Sequence, residues 1–419
     1  MRVLIVNTSE LTGGAAIAAS RLTDALNHHG VKARMLVRDK QSHRVTTSPL
    51  PSQYSLKWSF LWERFRIFMA NGCRKRGLWT VDIANAGADI TALPEFQEAD
   101  IIHLHWINQG LLSLNQIGKI LASGKPVVWT MHDMWPCTAI CHHARECERF
   151  HDHCHHCPQL QRPGARDLSW QVFQKKKRTY ARGSISFVAC SRWLADEARK
   201  SSLLQGMNVS SIPNTYNHIL FHPTSQDEAR RSLGLPVTGR LLLFACQKVN
   251  NVRKGLDYLL SALRSERLRA WQGQLTLVVV GQLSEQLTAD IPYPVHAMGY
   301  LSEESVMAAL YQAVDAFVTP SLEENLPNTI MEAMACGTPC VGFRIGGIPE
   351  MIDHEVNGYV ANYRDAYDLA CGIDYVLCPE NHSRLSEAAA HKAAVTWNEE
   401  KVSRDYIRLY EQLISNETD

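Results

Sequence analysis

Along most of the chain, short runs of consecutive apolar residues alternate with longer stretches whose apolar positions recur every three or four residues. The first kind, VLIVNTS, DIIHLHWIN, PVVWTMHD, ISFVACS, RLLLFACQ and LTLVVVGQ, predicts strands buried on both faces. The second kind, such as AIAASRLTDALNHHG, SLNQIGKILASG and LDYLLSALRSER, predicts helices laid against a sheet. Steady alternation of the two implies parallel sheets covered on both sides, and 419 residues suffice for two domains of about 200 each. The expected fold is therefore α/β, with two Rossmann-like doubly wound parallel-sheet domains whose functional loops sit at the strand ends facing a common cleft. The segment VSSIPNTYN marks the passage between them, giving domains at 1–213 and 214–398. Residues 399–419 form an amphipathic helix with Val402, Tyr406, Leu409, Tyr410 and Leu413 on one face.

One stretch, residues 314–350, is denser in information: VDAFVTPSLEENLPNTIMEAMACGTPCVGFRIGGIPE. An apolar strand runs from Val314 to Thr319 and is stopped by Pro320. Ile330, Met331, Met334 and Ala335 recur at helical spacing, Gly337 suits a left-handed C-cap, and Pro339 prevents continuation. Residues 325–328 must then be the loop that opens the helix, where backbone N–H groups and the macrodipole favour an anion such as phosphate. Glu324 and Glu332 frame that site. If most of the span between them is helical, they stand roughly 12 Å apart at about 1.5 Å per residue, enough to reach a ribose and a sugar ring across a diphosphate. Taken alone, the pair also reads as two solvated glutamates.

Pro320-Ser321, Glu324-x7-Glu332, Ala333-Met334-Ala335, Gly337-Thr338-Pro339 and Gly346-Gly347-Ile348-Pro349-Glu350 together resemble the donor-site signature of the family 4 retaining glycosyltransferases, which have the two-Rossmann-domain (GT-B) fold. The resemblance implies that Glu332 holds the ribose hydroxyls and that Glu324 contacts the transferred sugar. It also implies that amides after Glu324, in the segment from Asn325, cradle the phosphates. Pro327 has no N–H, so Leu326 and Asn328 are the expected amide donors.

The same resemblance gives roles to earlier residues. Lys248-x5-Lys254-Gly255 puts two cations beside a strand end, where they would neutralise charge developing on a leaving diphosphate; by themselves they read as surface lysines. The first of these positions is usually Arg in the family, so Lys248 is a departure that supplies charge without a forked geometry, and Arg253 is placed to compensate. Gly13 and Gly14 form the Gly-Gly loop after the first strand, while Tyr300 and Leu301 fall where relatives bind the nucleobase. His132, in the segment resembling the family's Thr-x-His-Asp, ends a strand and is expected to contact the transferred sugar; His103 and His105, alternating on a nearby strand, are candidates for the acceptor side. The implied reaction is a retaining, metal-independent hexosyl transfer in which the acceptor hydroxyl attacks from the face the diphosphate leaves, and the leaving phosphate takes its proton.

Residues 137–157, CTAICHHARECERFHDHCHHC, hold five of the twelve cysteines and six of the eighteen histidines, and fit neither helical nor strand periodicity. Cys141, Cys147, Cys154 and Cys157, spaced C-x5-C-x6-C-x2-C, are a ligand set for a structural zinc, with His142, His143, His151, His153, His155 and His156 as substitutes. The run resembles an insertion in bacterial exopolysaccharide glycosyltransferases of the colanic acid type. Four thiolates would leave no open position, so no cofactor is expected for catalysis.

Residues 54–76 combine Trp58, Phe60, Leu61, Trp62, Phe65, Phe68 and Met69 with Arg74, Lys75 and Arg76, suiting either an interfacial helix in peripheral contact with anionic lipid or a buried helix with a basic exit. The run Lys175, Lys176, Lys177, Arg178 reads as a solvated helix face. A net charge of +1 argues against nucleic acid as a partner, and no run approaches the length of a spanning helix. The start MRVLIVNTS enters a strand without a signal-peptide pattern. A cytoplasmic protein is expected, at the inner membrane face if residues 54–76 touch lipid, with a UDP- or GDP-sugar donor and a glycan or lipid-linked acceptor of bacterial surface polysaccharide synthesis. A nucleotide-sugar epimerase or phosphorylase of the same fold, and a zinc-dependent binding module, are the alternatives.

Overall fold

The computed structural model describes residues 1–51, 53–75, 77–246, 251–281 and 291–415, without the side chains of Gln53 and Tyr54. The chain divides into two compact units, Met1–Asn214 with Val402–Asp419, and Thr215–Lys401.

The first unit is built on seven strands: β1 (Arg2–Ser9), β2 (Lys32–Asp39), β3 (Thr47–Pro49), β4 (Ile101–Leu104), β5 (Val127–Met131), β6 (Ile185–Ala189) and β7 (Asn208–Ser211). They lie in the order β3-β2-β1-β4-β5-β6-β7, and every pairing is parallel. Side chains alternate in direction along each strand, so one strand feeds two cores. Leu4, Val6, Ile102, Leu104 and Trp129 enter the larger one. Val3, Ile5, Ile101 and Val128 enter the other, where Val402, Tyr406 and Tyr410 of the last helix, Glu399–Ser415, complete it. Burial on both faces explains why these strands read as continuous apolar runs.

The second unit has six strands: β8 (Arg240–Ala245), β9 (Leu275–Val280), β10 (Val295–Gly299), β11 (Ala316–Thr319), β12 (Cys340–Phe343) and β13 (Gly358–Ala361). Their order is β10-β9-β8-β11-β12-β13, again all parallel. In each sheet the connection order reverses beside the unit's first strand, between β1 and β4 and between β8 and β11. Ligands of such sheets bind outside the carboxyl ends at that reversal.

Two expectations need correction. The strand before Pro320 begins at Ala316, two residues later than the apolar run suggested. Lys176 is not on a solvated face: on the Leu168–Tyr180 helix it is fully buried, donates to the carbonyls of Trp135 (2.5 Å) and Thr138 (3.0 Å), and lies over the Trp135 ring. Burial lowers its amine to about 7. Lys177 and Arg178 keep the exposed positions.

Candidate functional site

In the second unit, β11 ends at Pro320-Ser321 and the chain passes through Glu323 and Glu324 to the helix Asn328–Ala335. That helix has no acidic residue in its first turn and no side-chain cap at Pro327, which leaves its positive end uncompensated by its own sequence. Across from it, the short 3-10 turn Val252–Lys254 follows β8. The Leu322 amide donates to the Arg253 carbonyl at 2.7 Å and ties the two loops together.

The tie sets up two ion pairs. Lys254 Nζ donates to Glu324 Oε1, and Arg253 Nη1 lies 3.8 Å from Glu323 Oε2. Lys254 and Glu324, predicted from motifs 70 positions apart, are thus brought into direct contact. Two glycines permit it. Gly255 has φ 69°, and a Cβ there would sit 1.8 Å from the Pro320 carbonyl oxygen; Gly346 has φ 55°, and its Cβ would sit 1.8 Å from that of Glu324. Any other residue at either position would push the loops apart.

Asn325 and Leu326 are buried beside this junction, and the Asn325 carbonyl accepts from the Gly347 amide at 2.8 Å. Glu332 stands in the second turn of the helix with 8% exposure. The helix opens only at Asn328, so the residues from Glu324 to Pro327 are loop. The separation expected for a mostly helical span between Glu324 and Glu332 therefore does not apply. Tyr300 and Leu301 follow β10, Tyr300 being 61% exposed. Lys248 lies outside the described residues.

In the first unit, Gly13 (φ 94°) precedes the helix that begins at Gly14, beyond the carboxyl end of β1. His132 follows the last residue of β5 and is half-buried, with Nε2 2.9 Å from His105 Nδ1 and Nδ1 3.3 Å from Cys190 Sγ. Burial lowers His132 to about 4, and burial with the neighbouring rings holds His105 well below the usual histidine range. Both rings are therefore neutral near pH 7. His103 is not on an open acceptor surface: it is fully buried, with Nε2 2.7 Å from Thr130 Oγ1 and Nδ1 2.7 Å from the Tyr410 hydroxyl.

A buried charged network beside His132 escaped the sequence reading. Asp133 accepts from Trp106 Nε1 (2.9 Å) and the Trp135 amide (2.8 Å), and contacts His142 Nδ1 at 2.7 Å. The other nitrogen of His142 lies 2.6 Å from Asp82 Oδ2, and Asp82 pairs with Arg64. Burial would lower His142, but the two carboxylates outweigh it and raise the ring to about 10. Burial would raise Asp133, yet the His142 charge and hydrogen bond hold it well below the carboxylate range. His142 is therefore held as an imidazolium with both nitrogens engaged by carboxylates. Asp82 and His142 are 60 positions apart, a separation at which sequence spacing carries no signal, and the nearer contacts fall on residues with no shared period.

Cys141, Cys147, Cys154 and Cys157 line one pocket with Ala139, Ile140 and Phe150, and all four are free thiols. Burial raises Cys141 and Cys154 to about 12 and Cys157 to about 11. Between Cys137 and Leu168 the only helical turn is Arg149–His151. Among the described residues, no group of three or more His, Cys, Asp or Glu is placed to hold a metal ion.

The family described as Glycosyltransferase Family 4 matches residues 12–218, and the one described as Glycosyl transferases group 1 matches residues 239–378. An uncharacterised glycosyltransferase of Methanocaldococcus jannaschii is 30% identical over 153 residues, which are 35% of this chain and 38% of that protein. The match thus spans less than half of that relative. Among solved structures, sucrose-phosphate synthase from Thermosynechococcus elongatus superposes with a TM-score of 0.69 at 18% identity, covering 99% of both chains. Anabaena HepE in complex with UDP-glucose superposes with a TM-score of 0.63 at 16% identity, covering 98% of this chain and 100% of that one. At such identities the superpositions speak to fold, and both-sheet coverage agrees with the two parallel α/β units.

Proposed function

We propose that this chain, which belongs to the family 4 glycosyltransferases of the two-Rossmann-domain type, transfers a sugar from a nucleotide-sugar to a glycan or lipid-linked acceptor with retention of anomeric configuration. The observation that carries the reading is the Lys254–Glu324 contact at the carboxyl ends of β8 and β11, beside an uncapped helix end. A diphosphate entering there would take the Lys254 ammonium from Glu324 and meet the amides of Leu326 and Asn328. Glu324, so released, would be available to sugar hydroxyls, and Glu332 to the ribose. Arg253 would exchange Glu323 for phosphate in the same way.

In the reaction, the bond from the anomeric carbon to the phosphate oxygen breaks as the acceptor oxygen bonds to that carbon from the same face. The acceptor's proton passes to the departing phosphate. Lys254 and the loop amides stabilise the charge gathering on that phosphate, and His132, a neutral ring, is assigned to the transferred sugar. The complex of HepE with UDP-glucose supports a uridine nucleotide-sugar as the first donor to test. Resemblance of the cysteine run to exopolysaccharide enzymes supports a role in surface polysaccharide synthesis.

A panel of UDP-, GDP- and ADP-sugars read by thermal shift tests the donor assignment. One base class should stabilise the wild type and lose its effect in Lys254→Ala; a protein that none of them stabilises would overturn the proposal. Proton NMR of the glycoside formed tests retention, and a product of opposite anomeric configuration to the donor would refute it.

The cysteine pocket is assigned a structural zinc on ligand class and number, the four thiols lining one pocket in a segment with little regular structure. Binding would require the thiols to take up positions other than those they hold here. Metal analysis of purified protein should find about one zinc per chain; a folded preparation without zinc or iron would remove the assignment.

A further inference from the structure

The helix Gln53–Ala70 is seated on the first unit by one face. Leu56 and Ile67 are buried in its apolar core. Glu63 Oε1 accepts from the amides of Ile83 (2.7 Å) and Ala84 (2.6 Å), and Arg64 Nη1 donates to the carbonyls of Leu78 (2.6 Å) and Val81 (3.1 Å). The helix is therefore fixed in rotation, and what its opposite face presents is a property of the fold.

That opposite face is apolar. Trp58, Leu61, Trp62, Phe65 and Met69 are exposed by 72%, 54%, 49%, 49% and 50%. At about 100° per residue these five positions fall within a single stripe about 100° wide. Phe60 and Phe68, which composition alone would add to the stripe, are turned partly inward. Trp79, 69% exposed, extends the patch, its ring centroid 6.2 Å from that of Phe60. A soluble surface scatters such residues singly, and five on one stripe mark an interaction face.

Charge selects the partner. Lys57 and Arg66 are exposed and fall on opposite borders of the stripe, about 40° beyond its edges by the same helical arithmetic. Arg74 and Lys75 are exposed just after the helix. The single carboxylate among residues 55–75 is Glu63, which is 0% exposed. Tryptophan and phenylalanine between two cationic borders, with no exposed acid, match the boundary of an anionic bilayer. There the rings enter the acyl region while Lys and Arg reach up to the headgroups. With Glu63 and Arg64 in its middle the helix cannot cross the bilayer, and no helix among the described residues is long and apolar enough to do so.

We propose that the Trp58–Met69 stripe is a membrane-docking surface, lying in the plane of an anionic lipid monolayer. It goes beyond the transfer reaction and does not depend on it. The full chain is mixed with vesicles of phosphatidylglycerol and phosphatidylethanolamine, or of phosphatidylcholine alone, and separated by flotation. Binding is expected to the anionic vesicles, with a blue shift of tryptophan emission, and to be weaker by about tenfold or more on phosphatidylcholine. Trp62→Ser with Phe65→Ser should lower the partition by at least about tenfold, and Lys57→Glu with Arg66→Glu by a similar factor on anionic vesicles only. These positions are exposed, so circular dichroism and an unchanged nucleotide-sugar thermal shift should show the variants intact. Failure to float with anionic vesicles overturns the proposal. So does a wild-type dimer in light scattering that Trp62→Ser with Phe65→Ser dissolves, which would make a second copy the occupant. Equal binding to both vesicle types overturns the electrostatic part.

Discussion

The two units both gather acids and bases within a few ångströms near the carboxyl ends of their sheets, and they use them in opposite ways. In the second unit, Arg253, Lys254, Glu323 and Glu324 pair at a partly exposed junction, where the proposed diphosphate would replace a carboxylate. In the first unit, Arg64, Asp82, His142 and Asp133 are mostly covered, and each is committed to a partner that the fold supplies. Burial of the cations makes the difference: the acids are similarly covered in both sets, but Arg253 and Lys254 are 51% and 36% exposed, against 7% and 15% for Arg64 and His142. An exposed pair contributes little to stability and can be exchanged for a ligand, whereas an enclosed one cannot lose a member without stranding a charge.

The largest effect should come from breaking the enclosed set. Asp82→Ala removes a carboxylate that Arg64 and His142 share, leaving Arg64 beside Glu63 alone and His142 with Asp133 alone, and is expected to destabilise the first unit by up to about 3–5 kcal/mol in urea titrations. A loss below about 1 kcal/mol would mean that the network contributes no more than a surface pair. Next, Lys254→Ala should reduce transfer by about 10²–10³-fold while moving the urea midpoint little. The comparison fails if the two variants exchange phenotypes, with Lys254→Ala unfolding the protein and Asp82→Ala tolerated.

Acidity separates the regions further. His132 is lowered to about 4 and His103 to about 3, so each contributes stability that is present above the unfolded histidine value of about 6.5 and is lost as pH falls toward the folded values. His142 is raised to about 10, so its contribution is complete below about 6.5 and is lost as pH rises through 10. Thermal melts of the first unit should therefore decline as pH falls below about 6.5, whereas above pH 7 the loss from His142 is opposed by Lys176, which is lowered to about 7 and gains stability as pH rises toward its unfolded value of 10.5. His142→Gln removes one of these opposed contributions, so its melts should rise above pH 7 relative to wild type and keep the acid limb; an alkaline profile unchanged by the substitution would assign the pH dependence to other groups.

The legible and illegible parts of the sequence divide along the same line. Strands such as β8 and β9 were readable because burial on both faces makes them uninterrupted apolar runs, and residues 320–350 because loop, helix and glycines act within one local stretch. Lys254 and Glu324 were found as separate motifs, and only the fold joined them. Lys176 was misread because a lysine inside a basic run gives no sign that Trp135 and Thr138 offer it carbonyls from 41 and 38 positions away. Asp82 and His142 share that difficulty, since the chemistry of a buried charge lies in its partners and the partners are remote.

The smallest change sharpens the comparison where the last helix closes on the first sheet. Tyr410 donates or accepts at His103 Nδ1, and Tyr406 does so at Thr130 Oγ1, whose other contact is His103 Nε2. These groups are neutral, so their removal should resemble loss of an ordinary buried hydrogen bond. Tyr410→Phe keeps the ring's packing and leaves His103 Nδ1 without this partner, for an expected destabilisation of about 1–3 kcal/mol. Urea denaturation near neutral pH measures the effect. A variant as stable as wild type would show that apolar burial of Val402, Tyr406 and Tyr410 alone fastens this helix, and that the histidine contacts follow from the packing without strengthening it.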